Sequence, residues 1–278
     1  MGKIIEFFGP PGSGKTTLAK SAYAHLKNEG IEISDFERAR YFAFKKWLSI
    51  SKNWVSKTDE KNMKRLQSVL DVLPDFLGRK LFDCSFFSGM FIFRNDLAYE
   101  FIIENPDLIN EVIKNIDRRH GPKEAKKRLY RFYNDFFKYQ LAKDYIKNPI
   151  IFHEAFCKHI SSAHSLFRTG EIPEGFQADV QRFTELISDK IDYAFYVRAD
   201  FDTCLERQSK RGYIVGEKLD LEKKRKDFMI RLETSEIIHR TLKKNGVKSF
   251  RIENDEDFKK ADETIKKRLD EVIPELRG

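Results

Sequence analysis

The sequence predicts an α/β fold of three layers, α/β/α, with a five-stranded parallel sheet and a large helical insertion between strands 2 and 3. Three observations predict it. Five apolar runs have strand length, helical stripes of apolar residues fall between them, and a long interval at 36–148 carries helical rather than strand patterning. Strands that alternate with helices imply parallel pairing through right-handed crossovers.

The first run, residues 3–8, opens the chain. The second, 31–34, follows Gly30 and is short. The third, 149–152, starts on Pro149, a residue suited to a strand's first position. The fourth, 191–197, is rich in aromatic and β-branched residues, and the fifth, 247–252, follows an Asn245-Gly246 helix stop. Between the runs, apolar residues recur at helical spacing: Leu18, Ala22 and Leu26; then Phe176, Val180, Phe183 and Ile187. Phe228, Leu232, Ser235, Ile238 and Leu242 form a third stripe, and Phe258, Ala261, Ile265, Leu269 and Val272 a fourth. The interval 36–148 is rich in Phe, Tyr, Lys and Arg, and Pro74, Gly78, Gly89, Pro106 and Gly121-Pro122 punctuate it into short helices. Residues 1–35 and 149–278 therefore form the expected core, and 36–148 the insertion.

Between the first run and the first helical stripe stand Gly9, Pro10, Pro11, Gly12, Ser13, Gly14, Lys15, Thr16 and Thr17. This is G-x-x-x-x-G-K-[ST] in a strand–turn–helix context, a phosphate-binding P-loop or Walker A pattern. Glycines let the backbone curl with its N–H groups inward around phosphate oxygens, and the helix start adds unsatisfied donors and a positive dipole end. Lys15 can reach β/γ-phosphates, and the Thr16 hydroxyl can ligate Mg²⁺. A triphosphate, ATP or GTP, is the expected ligand.

After the fourth run the chain reads Asp200, Asp202, Arg207, Arg211, Gly212 and Gly216 in a strand–helix–loop setting. Asp200 or Asp202 can cap the helix. Arg207 and Arg211, four apart, share a helical face. They can neutralise a phosphoryl group in transfer, or they pair with Glu206 and face water.

The GPPGSGKTT segment, the D-x-x-x-C-L-x-R-x-x-x-R-G stretch and the last strand followed by Asn254-Asp255 and a helix resemble the nucleoside and nucleotide kinase superfamily, which includes thymidylate and adenylate kinases. The likeness covers the first 35 residues and most of the chain after 148. It implies Mg-ATP as donor, a mobile lid at 208–219 with Arg207 and Arg211, and an acceptor pocket in the region after the second strand. It also implies adenine packed near 253–255, which places Asn254 with the nucleotide.

Asp35, at the end of the second run, lies where such kinases place a carboxylate that orients the acceptor hydroxyl; it can equally cap the next helix. Arg38 and Arg40 can hold an anionic acceptor. His153 stands where many P-loop proteins put an Asp that holds Mg²⁺ through water, and Glu154 can take over as metal-orienting group or base, or cap the following helix. The aromatic density of the insertion reads as core.

Composition bounds the rest. Net charge +8 and a pI near 9.2 are compatible with nucleic acid, anionic membrane or a polyanionic small molecule. The excess alternates with acids along helical stretches, which reads as solvated faces and does not favour nucleic acid. Hydrophobic residues at 41% with 25 Phe supply a large core, and no run approaches membrane-span length. Cys84, Cys157 and Cys204 are scattered, which excludes a disulfide framework or paired zinc pattern. No secretory pattern is visible at the start, so the cytosol is the expected compartment. The functional expectation is an ATP-dependent transfer of phosphate to a small-molecule acceptor. The alternatives are an NTPase switch, or a nucleic-acid-associated ATPase or polynucleotide kinase.

Overall fold

The structure is a computed structural model, and it describes residues 2–35, 41, 45, 57–74, 77, 101–117, 132, 139–140, 143–144, 146–153, 155–163, 174–255 and 257–277. The chain divides into two compact units, Met1–Gly2 with Ser34–Asn148, and Lys3–Ile33 with Pro149–Gly278.

The second unit holds the sheet. Its strands are β1 (Ile4–Phe8), β3 (Ile150–His153), β4 (Tyr193–Arg198) and β5 (Lys248–Glu253), and they run in the order β3-β1-β4-β5. All pairs are parallel, with Ile5 opposite both Ile151 and Tyr193, and Phe195 opposite Phe250. The helices of this unit are α1 (Lys15–Asn28), α4 (Phe156–Ala163), α5 (Phe176–Ile187), α6 (Phe201–Lys210), α7 (Leu221–Lys244) and α8 (Phe258–Arg277).

Alternation along the strands sorts the side chains onto two faces. Ile5, Phe7, Phe195, Val197 and Ile252 pack with Leu18, Ala22 and Leu26 of α1 and with Ala261, Ile265, Leu269 and Val272 of α8. Phe7 stacks on Phe195 with ring centroids 4.8 Å apart. Each fully buried Leu or Phe here contributes roughly 1.5–3 kcal/mol. On the other face Tyr196 meets His239 of α7, and α7 packs against α4, α5, β4 and β5. Helix, sheet, helix: three layers. The stripes read from the sequence point inward, except that Phe258 is exposed and Phe176 and Leu232 are half-buried.

The run at 31–34 departs from expectation. Gly30 takes φ +76° and ends α1, the Ile31 N–H donates to the Leu26 carbonyl at 2.9 Å, and the Ile33 N–H donates to the Ile31 carbonyl at 2.9 Å. Local bonds have taken the amides a strand would need, while Ile31 and Ile33 still bury their side chains in the core. Within this unit the strands of the sheet number four. The only strand assigned nearby among the described residues is the two-residue β2 (Ser34–Asp35), which falls in the first unit.

The first unit also contains α2 (Lys57–Val72) and α3 (Pro106–Asp117). Pro106 opens α3, where its missing N–H costs nothing. Lys45 donates to the Leu70 carbonyl at 3.3 Å, tying residue 45 to the end of α2. Among the described residues no helix is long and apolar enough to cross a membrane.

Glu6 is the oddity of the central strand: a fully buried carboxyl on β1. Its Oε1 accepts from the Cys157 N–H at 2.9 Å, at the start of α4, while Oε2 has no hydrogen-bond partner. Burial pushes the carboxyl up to about 7, against the opposing pull of N–H and thiol groups at residues 155–157. Because the folded value lies above the unfolded one, the stability contribution is present below about 4.5 and is lost as pH rises through about 7. A rise of that size corresponds to roughly 3 kcal/mol. Glu6→Gln removes this titration, so denaturation at pH 5 and pH 8 should show a smaller drop between the two for the variant than for the wild type. Equal drops would mean that Glu6 titrates alike folded and unfolded.

Candidate phosphate-binding site

The turn from β1 to α1 is held open by position-specific glycines. Gly14 is the N-cap of α1 at φ +92°, with no side chain capping the helix. By contrast, Asp200 and Asp220 cap α6 and α7, accepting from the N–H groups of Thr203 and Lys223. No side chain caps the start of α1, where the Thr17 and Leu18 N–H groups both donate to the Gly14 carbonyl at 3.0 Å, and a helix start left open in this way is how an anion-binding turn is built. Gly12, at φ +90°, packs so tightly that a Cβ would stand 2.4 Å from the Cys204 carbonyl oxygen. Any side chain there would displace the loop from α6.

Inside the loop, the Ser13 N–H and the Lys15 ammonium both donate to the Pro10 carbonyl, each at 3.2 Å. Lys15 is only 6% exposed, so its charge is held close to the curled backbone rather than extended into water. Thr16 is half-buried and Thr17 exposed. The Ser13 hydroxyl is buried without a hydrogen-bond partner. A curled backbone, an uncapped helix start, a buried cation and an orphaned hydroxyl form a donor-rich lining, and they fit a bound phosphate chain.

The loop is braced from outside. Asn254, after β5, is 1% exposed; its Nδ2 donates to the Ser13 carbonyl at 2.7 Å and its N–H to the Arg198 carbonyl at 2.8 Å. Arg207 of α6 donates through Nη1 to the Asn254 carbonyl at 2.9 Å and reaches the Ser13 carbonyl at 3.5 Å. Gln208, next along α6, donates to the Pro11 carbonyl at 3.0 Å. Asp255 accepts from the Asp200 N–H at 2.6 Å, and Arg198 pairs with Glu253 at 2.9 Å. The Thr203 N–H bonded to Asp200 lowers that carboxyl below its usual range, so it stays ionised as a cap.

These contacts bear on two of the residues expected at the site. Asn254 is spent on the loop's underside, and a side chain this buried does not present itself to a base. Arg207 likewise points at main-chain oxygens of residues 13 and 254 rather than outward with Arg211, which is exposed at the C-cap of α6. The pair shares a helix but not an environment. His153 ends β3, opposite Phe7, and is exposed. Asp35 lies in β2; Arg38, Arg40 and Glu154 lie outside the described residues. Cys204 is buried and its thiol pushed up to about 12, so it packs rather than reacts. Among the described residues no three His, Cys, Asp or Glu side chains gather as a metal cluster.

Gln208, the Asp227–Arg231 pair and a small cavity were not legible in the sequence. Asp227 and Arg231, both buried on α7, pair at 2.7 Å. With Pro11, Phe201, Phe228 and Val215 they line a cavity beside the loop. An Asp and Arg four apart on a helix was the available signal, but it reads as an ordinary surface pair.

No protein-family model matches the chain, and no curated protein matches it. Among solved structures the chain is similar to a deoxyadenosine kinase from M. mycoides with bound dATP, at 14% identity over 96% of this chain and 99% of that one, with a TM-score of 0.47. The M. mycoides enzyme with bound dCTP gives 15% identity over the same shares and a TM-score of 0.43. Both scores fall below one half, so what this chain binds rests on its own residues.

If Asn254 holds the loop, Asn254→Ala leaves the buried Ser13 carbonyl short of its closest donor, at a cost of about 1–3 kcal/mol. Urea denaturation measures this directly. An unchanged midpoint would mean that the bond contributes nothing.

Proposed function

We propose that the chain is an ATP-dependent phosphotransferase that moves the γ-phosphoryl group to a small-molecule acceptor of nucleotide, nucleoside or sugar type. The observation that carries this reading is the braced loop at residues 9–14, with Lys15 folded beneath it beside the parallel sheet.

In this reading the N–H groups of the loop and of the first turn of α1 grip the β- and γ-phosphates. Lys15 exchanges the Pro10 carbonyl for a phosphate oxygen and neutralises charge as it develops on the transferred group. The Thr16 hydroxyl, at the first turn of α1, would hold Mg²⁺, whose charge would offset that of the phosphates. Glu154, following His153, would orient the metal's water. Arg211, exposed in the segment 208–219, is a cation that can approach the phosphoryl group as that segment covers the site and sheds water. Arg207 acts differently, by holding Ser13 and Asn254 in place. Asp35 or Glu154 would receive or orient the acceptor hydroxyl, and Arg38 and Arg40 would hold an anionic acceptor. The first unit, with its aromatic-rich sequence, is the proposed acceptor-binding region.

The test is incubation of the full chain with γ-labelled ATP and Mg²⁺ against pools of nucleosides, nucleotides and sugars. Label should pass to one acceptor class, and Lys15→Ala should lower that transfer by about 10²–10³-fold. Hydrolysis that needs no acceptor and rises with added DNA or RNA would overturn the proposal in favour of a nucleic-acid-associated ATPase.

A further inference from the structure

Gln208 makes two hydrogen bonds that no other described side chain combines. Its Nε2 donates to the Pro11 carbonyl of the phosphate loop at 3.0 Å, and its Oε1 accepts from the Val215 N–H at 2.8 Å. The amide orientation follows from the partners: a carbonyl requires the NH₂ group and an N–H requires the oxygen, so a flipped amide would lose both bonds. One half-buried carboxamide thus spans the main chain of residue 11 and the main chain of residue 215.

The surroundings keep that span short. The Tyr213 N–H donates back to the Gln208 carbonyl at 3.3 Å, and Gly212 takes φ +68° to turn the chain off α6. Ile214 and Val215 then lie against Pro11, Phe201 and Phe228 around the small cavity. Asn in place of Gln would be one methylene too short for both bonds. Glu would keep the acceptor for Val215 but set a carboxylate against a carbonyl.

We infer that Gln208 is a positioning residue that couples the segment carrying Arg211 to the phosphate loop, so that a ligand moving Pro11 shifts the set of residues 211–215. The inference rests on the proposed function for what that ligand is, but the strut itself does not. A shift of the Pro11 carbonyl loosens or tightens the bond to Nε2 and, through the rigid amide plane, the bond from Val215.

The test is amide exchange at Val215 in the full chain, with and without Mg-ATP. In the free protein, Gln208→Leu removes both bonds and should speed exchange at Val215 about tenfold, the worth of one ordinary hydrogen bond. Gln208→Glu keeps Val215 bonded but cuts the link to Pro11. Mg-ATP should therefore change Val215 exchange in the wild type and leave it unchanged in Gln208→Glu. Transfer by Gln208→Glu should fall about tenfold in kcat with KM for ATP altered less than twofold, and with more label lost to water per turnover. Unchanged Val215 exchange in free Gln208→Leu would overturn the strut, as would an equal nucleotide response in wild type and Gln208→Glu. Should Gln208→Leu not fold, the response of Gln208→Glu decides. Should the wild type take up no nucleotide, the proposed function falls while the comparison of the free proteins still decides the strut.

Discussion

The Ser13 carbonyl is the point on which the site turns. A phosphate loop needs its N–H groups directed inward, and so its carbonyls must face outward, where burial would leave them without water. Here Asn254 and Arg207 meet that demand at Ser13, and Gln208 meets it at Pro11. An unbonded buried carbonyl costs about 1–3 kcal/mol, enough to favour a different loop conformation. The donors come from the end of β5 and from α6, so the parallel sheet earns its place by delivering them: β1 supplies the loop, β4 leads into α6, and β5 ends just before Asn254.

That arrangement also explains why the loop's cation is where it is. A buried lysine is costly unless its charge meets oxygen acceptors. Lys15 finds one in the Pro10 carbonyl, five residues back, which the glycines at 12 and 14 keep within reach. The same strand carries an acidic side chain three residues before Gly9, Glu6, but on the other side of β1 from Phe7, against the start of α4. Cation and carboxyl therefore serve different helix starts. One faces the glycine-rich loop, and the other closes the N-terminus of a packing helix.

Much of this fold could be read from residue spacing, because α1, α5, α7 and α8 carry their apolar residues at helical intervals and β4 is dense in aromatic and branched side chains. Ile31 and Ile33 misled for a physical reason: they are buried as a strand's residues would be, but their amides are bonded to Leu26 and Ile31. Hydrophobicity reports burial, not backbone pairing. Of the site, the loop from Gly9 to Thr16 was legible because its chemistry is contiguous in sequence. Asn254 and Arg207 were picked out for a nucleotide, and nothing in the sequence signalled their bonds to the Ser13 carbonyl. Their contacts to Ser13 span 241 and 194 residues, and no local pattern says which oxygen a distant amide will meet. Gln208 offered no signal, since a glutamine on a charged helix ordinarily faces water.

The claim beneath the whole account is that these braces shape residues 9–16 for a triphosphate tail. Calorimetric titration of the full chain with inorganic tripolyphosphate and then ATP, in magnesium, tests it most directly. Single-site uptake of ATP that tripolyphosphate competes away is expected of a loop that grips phosphates and not the base. Absence of heat from either ligand, or ATP uptake that tripolyphosphate leaves untouched, would contradict it.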